Sequence, residues 1–387
     1  MNKLALLIGM FWASAAPAQQ VCARWTMPEI NACSDQTRLS LAIVGDVLLH
    51  RPLQWRGYAR GFETIWGAAI PYLSAADIAI ANLEGPTAAG YLPGGRQMAD
   101  PGPVLDDAVY SGYPSFNYHP VVVEALREAG VDIVTTANNH ALDRGSAGLD
   151  ATLAALGASD MQSVGAVRSG QTRFAPLRVR SHIGALSFIS CTFGTNGIVD
   201  RSQQVPLCYE DRAQILQLVE DEVQRGAGVL VLPHWGREYE LQPDAQQRRF
   251  ARDLVEAGAL AIVGTHPHVP QPWDIMQGPS GEVPIIFSTG NFVAAQPPIE
   301  RATSILAWLE LCSNANGPRV TGAGYVPLQM EFDGNDPSLT VPRPGMGARA
   351  EAGLALLARL IPGRDLTALT ECRQSRRSTV PVNAYER

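Results

Sequence analysis

The sequence predicts an α/β fold. Short apolar runs of strand length alternate along it with longer segments whose apolar residues recur at three- and four-residue spacing. Most of the apolar runs end in a polar residue or a glycine. Hydrophobic residues make up 46% of the 387, and charged residues 17%, which suits a large packed core and excludes a disordered chain. One large α/β domain fits this length as well as two or three smaller ones.

Taken in order, the stretch LSLAIVGDVLL (39–49) reads as a buried strand that reaches Gly45-Asp46. FETIWGAAIPYLSAA (62–76) has helical spacing, and DIAIANLEG (77–85) is a strand ending at Asn82-Leu83-Glu84. HPVVVEALREAG (119–130) is an amphipathic helix stopped by Gly130. VDIVTTANNH (131–140) is a strand ending at Asn138, Asn139 and His140, and SAGLDATLAALGAS (146–159) is a helix. GALSFISCTF (184–193) and GVLVLPHWG (228–236) are strands with the helix EDRAQILQLVEDEVQRG (210–226) between them. PDAQQRRFARDLVEAG (243–258) is a helix, and ALAIVGTH (259–266) and VPIIFSTGNF (283–292) are strands. SILAWLELC (304–312) and YVPLQMEF (325–332) read as later antiparallel strands. Residues 334–387 form a tail with one short helix around EAGLALLARLI (351–361). No repeat or low-complexity segment appears.

The first twenty residues, MNKLALLIGMFWASAAPAQQ, carry one lysine, an apolar run and then small residues. This is the pattern of a signal peptide over 1–18, cleaved near Ala18, with an irregular arm over 19–37. An exported, periplasmic or extracellular protein is expected, with no transmembrane span in the mature chain. Six cysteines suit an oxidising compartment, and nearest-neighbour pairing gives Cys22–Cys33, Cys191–Cys208 and Cys312–Cys372. The formal net charge is −7 and no basic stripe is present, so nucleic acid is not an expected partner.

Five of the seven histidines, with several carboxylates and amides, sit at strand ends: Asp46 with His50, Glu84, Asn139 with His140, His234, and His266 with His268. In α/β folds ligands bind beyond the carboxyl ends of the strands. In an extended His266-Pro267-His268, the two imidazoles project to one side and serve one centre. Imidazole, carboxylate and amide oxygen together suit one or two divalent ions, with Mn, Fe and Zn all compatible.

The stretches GDVLLH, ADIAIANLEGP, ALREAGVDIVTTANNHALDRGSAGLDATLAAL, CTFGTNG, LPHWGREYELQPDAQQRRFARDLVEAGALAIVGTHPHVPQP and IIFSTGNFV, in this order, resemble the CapA family of poly-γ-glutamate capsule synthesis proteins. That family looks like a branch of the calcineurin-like metallophosphoesterases. The resemblance implies a four-layer αββα sandwich, metallo-dependent phosphatase-like, over residues 38–333. It implies Asp46 and His268 on a first metal, Glu84 as the bridging carboxylate, and Asn139, His234 and His266 on a second. His140 becomes the acid that protonates the leaving group. His50, Glu238, Tyr239, Gln271 and Asn291 become substrate-binding or ligand-supporting residues. The chain departs from the metallophosphoesterase pattern at Leu48, where a histidine is usual, and at Glu84, where aspartate is usual. Two readings share this site. One is a metal-dependent hydrolase acting on an anionic polymer or a phosphoester. The other is a non-catalytic assembly or export factor that binds such a polymer beside other capsule proteins.

Overall fold

The computed structural model describes residues 27–33, 37–313, 317–334 and 336–368. The expected signal peptide and the start of the arm lie outside the described residues.

The first half runs β1 (Arg38–Leu48), α1 (Arg51–Arg60), α2 (Glu63–Trp66), α3 (Ile70–Leu73), β2 (Ile78–Leu83), α4 (Val121–Glu128), β3 (Ile133–Thr135), α5 (Gly145–Ala158) and β4 (Gln162–Val164). A second block follows as β5 (Leu177–Ser181), β6 (Gly184–Thr192), α6 (Arg212–Gln224), β7 (Gly228–His234), α7 (Ala245–Glu256), β8 (Ala261–Val263), β9 (Trp273–Gly278) and β10 (Gly281–Ile286). The chain closes with β11 (Asn291–Ala294), α8 (Ile299–Ala302), β12 (Thr303–Cys312), β13 (Arg319–Asp333), β14 (Asp336–Thr340) and α9 (Ala348–Leu360).

Two sheets result. The first has the order β14-β13-β12-β1-β2-β3-β4, with β11 also paired to β1; the second has the order β5-β6-β7-β8-β10-β9. The pairs β1–β2, β2–β3 and β3–β4 are parallel, as are β6–β7, β7–β8 and β8–β10. Their carboxyl ends therefore gather at one end of the molecule.

Side-chain alternation makes the layers. Leu39, Leu41 and Ile43 of β1 and Leu230 and Leu232 of β7 meet in a core between the sheets. Ala42 and Val44 turn the other way, onto the helices that carry Leu53, Trp66, Val122 and Leu149. Val229 and Val231 likewise turn onto Ile215, Val219, Phe250 and Leu254 of α6 and α7. Strands buried on both faces must be apolar throughout, which is why these runs lack polar alternation. Helix, sheet, sheet and helix follow one another as the four-layer αββα sandwich expected.

The structure corrects several local readings. Residues 62–76 form two short helices, α2 and α3, because the chain turns through Gly67 before Pro71 starts the second. The run 283–292 is two strands in different sheets: β10 belongs to the second, and after Phe287–Gly290 the chain crosses to lay β11 beside β1. The segment after Asp333 adds β14 to the first sheet, and Leu356, Leu357 and Leu360 of α9 enter the inter-sheet core.

Cys191–Cys208 is bridged as expected, but Cys33 pairs with Cys312, not with Cys22, and Cys312 is therefore not joined to Cys372. The cause is strand register. Arg38 of β1 lies opposite Cys312 of β12, so the arm just before β1 passes that strand end. The same arm continues along β13, with Glu29 bridged to Gly322 and the Ile30 amide bonded to the Thr321 carbonyl at 2.8 Å. Cys22 and Cys372 lie outside the described residues.

Candidate metal centre

Asp46 is aimed by a bulge. The pairing of β1 with β2 shifts register between Ile43 and Asp46, and that with β11 shifts after Asp46. Asp46 then stands between Asn82 on one strand and Asn291 on the other. The backbones close in so tightly that a Cβ on Gly45 would sit 1.7 Å from the Gly290 carbonyl oxygen, which only glycine allows. Glu84 follows the last residue of β2, His234 ends β7, and Asn139 and His140 follow β3.

His266 and His268 converge, but not as alternate residues of an extended strand. β8 stops at Val263, and both histidines have positive φ, 95° and 56°. Left-handed backbone at such residues costs about 1–3 kcal/mol each, so the surrounding structure must hold it. The Thr265 and Trp235 amides, bonded to the Pro233 and Thr265 carbonyls, and the Tyr239 amide, bonded to the Pro267 carbonyl, tie the turn to β7 and its loop.

Two triads of ligand-type atoms emerge, each with its atoms within 4.8 Å of one another: Asp46, Glu84 and His268, and Glu84, His234 and His266. All five residues are buried, and Glu84 belongs to both triads. Neither Glu84 side-chain oxygen has a hydrogen-bond partner, nor does Nδ1 of His266. Buried carboxylate oxygens are almost always satisfied, so a bare pair at the shared corner of two triads points to a cation. His268 Nε2 lies 3.8 Å from Glu84 Oε1, and His234 Nε2 lies 3.6 Å from it. These gaps are too long for hydrogen bonds, and they match a cation with bonds of about 2.0–2.2 Å to each side.

Hydrogen bonds fix the amides and hence the imidazoles. Asn291 donates from Nδ2 to the His268 and Arg301 carbonyls and to Gln296 Oε1, at 3.0–3.2 Å. Its Oδ1 is left to accept from His268 Nδ1 at 3.0 Å, which turns the lone pair of Nε2 towards Glu84. Asn82 Oδ1 accepts from Thr135 Oγ1 at 2.8 Å and from Asn138 Nδ2 at 3.3 Å. Its Nδ2 is thereby free to donate to Asp46 Oδ1 at 2.7 Å. His234 is oriented from its Nδ1, which lies 2.9 Å from Thr265 Oγ1, while Asn139 donates to Asn196 Oδ1 at 3.1 Å and sets its own Oδ1 beside His234 Nε2 at 2.8 Å, two ligand-type atoms side by side.

Electrostatics agree with a cation-binding centre. Burial, then the negative charges of Asp46 and Glu238, push the Glu84 carboxyl well above the usual carboxylate range. Burial, then the neighbouring histidines, hold His234 and His266 well below the usual imidazole value, so both are neutral and in ligand form. A bound cation reverses the penalty on Glu84 and is favoured by neutral imidazoles.

The remaining sequence candidates fall around this centre. His140 Nδ1 is 2.8 Å from Asp143 Oδ2, with its ring edge-on to Phe116. His50 is in neither triad; its Nδ1 lies at 3.2–3.3 Å from the Leu48 carbonyl and the Ala295 amide, and burial holds its pKa down to about 4. Gln271 is fully buried and joins Gln247 to the Glu240 carbonyl, so it braces the loop after His234. Tyr239 lies on that loop with its ring 6.0 Å from His268, and the exposed Glu238 precedes it.

Three residues of the centre were not singled out as site residues in the sequence. Asn82 lies inside an apolar strand, and Asp143 stands three residues after His140, a spacing visible in ANNHALD. Asn196 reaches Asn139 and His140 from the distant CTFGTNG loop.

An αββα sandwich with carboxylates, amides and histidines gathered at its strand ends is of the metallo-dependent phosphatase-like class. A family model described as "Bacterial capsule synthesis protein PGA_cap" matches residues 40–296, and the chain belongs to that family. It is 27% identical over 316 residues to the PGA biosynthesis protein CapA of Bacillus subtilis (strain 168), covering 81% of this chain and 75% of the relative. To the capsule biosynthesis protein CapA of Bacillus anthracis it is 27% identical over 272 residues, 68% of this chain and 61% of the relative. Among solved structures it is similar to the calcineurin-like phosphoesterase YfkN from Bacillus subtilis, at TM-score 0.42 and 14% identity, over 86% of this chain and 97% of that one. A putative 5'-nucleotidase from Staphylococcus aureus matches at TM-score 0.46 and 14% identity, over 84% of this chain and 58% of that one. Among the described residues no helix is long and apolar enough to cross a membrane.

Proposed function

We propose that this chain is an exported, metal-dependent hydrolase of capsule biosynthesis that acts on an anionic polymer of the poly-γ-glutamate type, outside the cytoplasm. The observation that carries the reading is the Glu84 carboxylate, bare on both oxygens and shared by two triads. Asp46 and His268 would hold one divalent ion, His234, His266 and Asn139 a second, and Glu84 both. Manganese, iron and zinc all suit these mixed nitrogen and oxygen donors. When bound, such ions supply Lewis-acid polarisation of the scissile group and activation of water.

The protein's own groups do the rest. Asp143 Oδ2, 2.8 Å from His140 Nδ1, orients the ring and leaves Nε2 to face the leaving group as its proton donor. Asn196 Nδ2, at 3.4–3.5 Å from the His140 ring nitrogens, and Phe116 set the plane of that ring. The two disulfides among the described residues suit the oxidising space in which such a polymer is handled.

Leu48 supports a second reading, a polymer-binding assembly factor, because the usual histidine of the first metal is replaced. Metal content by elemental mass spectrometry, followed by turnover on poly-γ-glutamate, separates the two. The hydrolase reading expects about two ions per chain, lost in His266→Ala/His268→Ala, and turnover that His140→Ala lowers by about 10²–10⁴ with metal content unchanged. Metal without turnover above the His140→Ala background favours the assembly factor. No metal in the wild-type chain ends the hydrolase reading.

A further inference from the structure

Beside the centre sits a cation that the two triads do not use. The Arg301 guanidinium lies over the ring of Tyr239, 3.5 Å from its centroid, and that ring is 6.0 Å from His268. Among the described residues Arg301 has no ion pair and no side-chain hydrogen bond. A stacked guanidinium keeps its edge N–H groups available, in a planar fork that matches an oxyanion.

The placement is built, and from two sides. The Arg301 carbonyl accepts from Asn291 Nδ2 at 3.0 Å, and the same amide holds His268 through Oδ1. The platform is held as firmly. Tyr239 has φ of 67°, a left-handed conformation uncommon for a bulky residue, and its amide donates to the carbonyl of Pro267, between the two histidines, at 2.7 Å. Gln296 Nε2 donates to the tyrosine hydroxyl at 3.4 Å. Left-handed backbone thus holds a ring under an arginine and next to His268, and strain of this kind clusters at ligand clamps.

We infer that Arg301, stacked on Tyr239, is a substrate-binding residue that takes an oxyanion, carboxylate or phosphate, next to the group held at the two triads. The inference rests on the reading of the centre as a site for an anionic substrate and adds the residue that selects charge there. A substrate bearing a negative group beside the scissile bond is held; a neutral one is not.

The test is isothermal titration of the manganese-loaded full chain with inorganic phosphate and, separately, with a short γ-linked glutamate oligomer, alongside metal content. Expected is a loss of about 10–100-fold in affinity for one or both probes in Arg301→Gln, with partial recovery in Arg301→Lys and unchanged metal content throughout. Phosphate affinity alone falling identifies the oxyanion as phosphate; oligomer affinity alone falling identifies it as carboxylate. Wild-type affinity for both probes in Arg301→Gln overturns the inference. So does metal-loaded wild-type chain that binds neither probe, although the metal centre then stands. If the wild-type chain takes up no metal, the reading of the centre falls, and the same titrations on the metal-free chain still decide the role of Arg301.

Discussion

The Asp46–Glu84–His268 triad is woven into side-chain hydrogen bonds, whereas the Glu84–His234–His266 triad is closed by a histidine that rests on a ring. Asp46 accepts from Asn82 and from the His266 amide, and His268 is held by an asparagine whose every other group is engaged. His234 has Thr265 Oγ1 and Asn82 Nδ2 at its Nδ1, but His266 has no partner at Nδ1, and its ring packs 4.2 Å from that of Phe193. Ligands oriented by outer hydrogen bonds bind metal more tightly than ligands oriented by packing alone. The first ion is therefore expected to be the resident one, and the second the more exchangeable.

The harshest way to break this comparison is to remove the shared corner. Glu84→Gln should lose both ions, taking metal content from about two per chain to near zero, as elemental mass spectrometry would show; retention of one ion would mean that the two triads do not depend on a common carboxylate.

Acid gives the next largest effect. The value of about 4 for His50 lies below the ordinary imidazole value of 6.5, so the unfolded chain takes up the proton first as pH falls. Stability from this group is complete above about pH 6.5 and is lost progressively between there and pH 4, by about 3 kcal/mol in total. His234 and His266 are shifted in the same direction. Urea unfolding of metal-free protein at pH 7.5 and 5.0 should show a marked fall, and metal-loaded protein a steeper dependence, because protons and metal compete for the same imidazoles. Equal stability at the two pH values would contradict the burial of neutral histidines.

The finest probes address each triad alone. Asn291→Ala should weaken the tighter ion about 10–100-fold and spare the other. Phe193→Leu should weaken only the exchangeable ion, by less than about tenfold, the scale of one ring contact. Competition with a metal-chelating dye would resolve the two sites, and equal effects of the two variants would erase the asymmetry.

Much of this was legible in the sequence because strand ends announce themselves. An apolar run that stops at Asp46, Glu84, Asn139 or His234 places that residue at the carboxyl edge of a sheet, and two sheets bring those edges together. The His266-Pro267-His268 convergence was foreseen for a reason that does not hold: left-handed backbone, not strand alternation, turns the rings inward. Asn82 was read at its strand end but not as part of the site, because only register sets it beside Asp46. Asn196 was missed because its partners lie 56 and 57 residues away. The Cys33–Cys312 bridge depends on the register of β1 against β12, which spacing along the chain does not encode.

The second sheet is one uninterrupted block, from β5 to β10, set inside a first sheet whose strands come from both ends of the chain. That arrangement dictates an order of events at the ribosome. β1 emerges early, yet one of its neighbours, β12, and the other strand that pairs with it, β11, follow only after the whole second sheet has been made. At synthesis rates of about 5–20 residues per second the β1 edge stays unpaired for roughly ten seconds or more. An apolar strand left open for that long is prone to join another chain, so the nascent protein is an expected client of a holding chaperone until its last third has appeared.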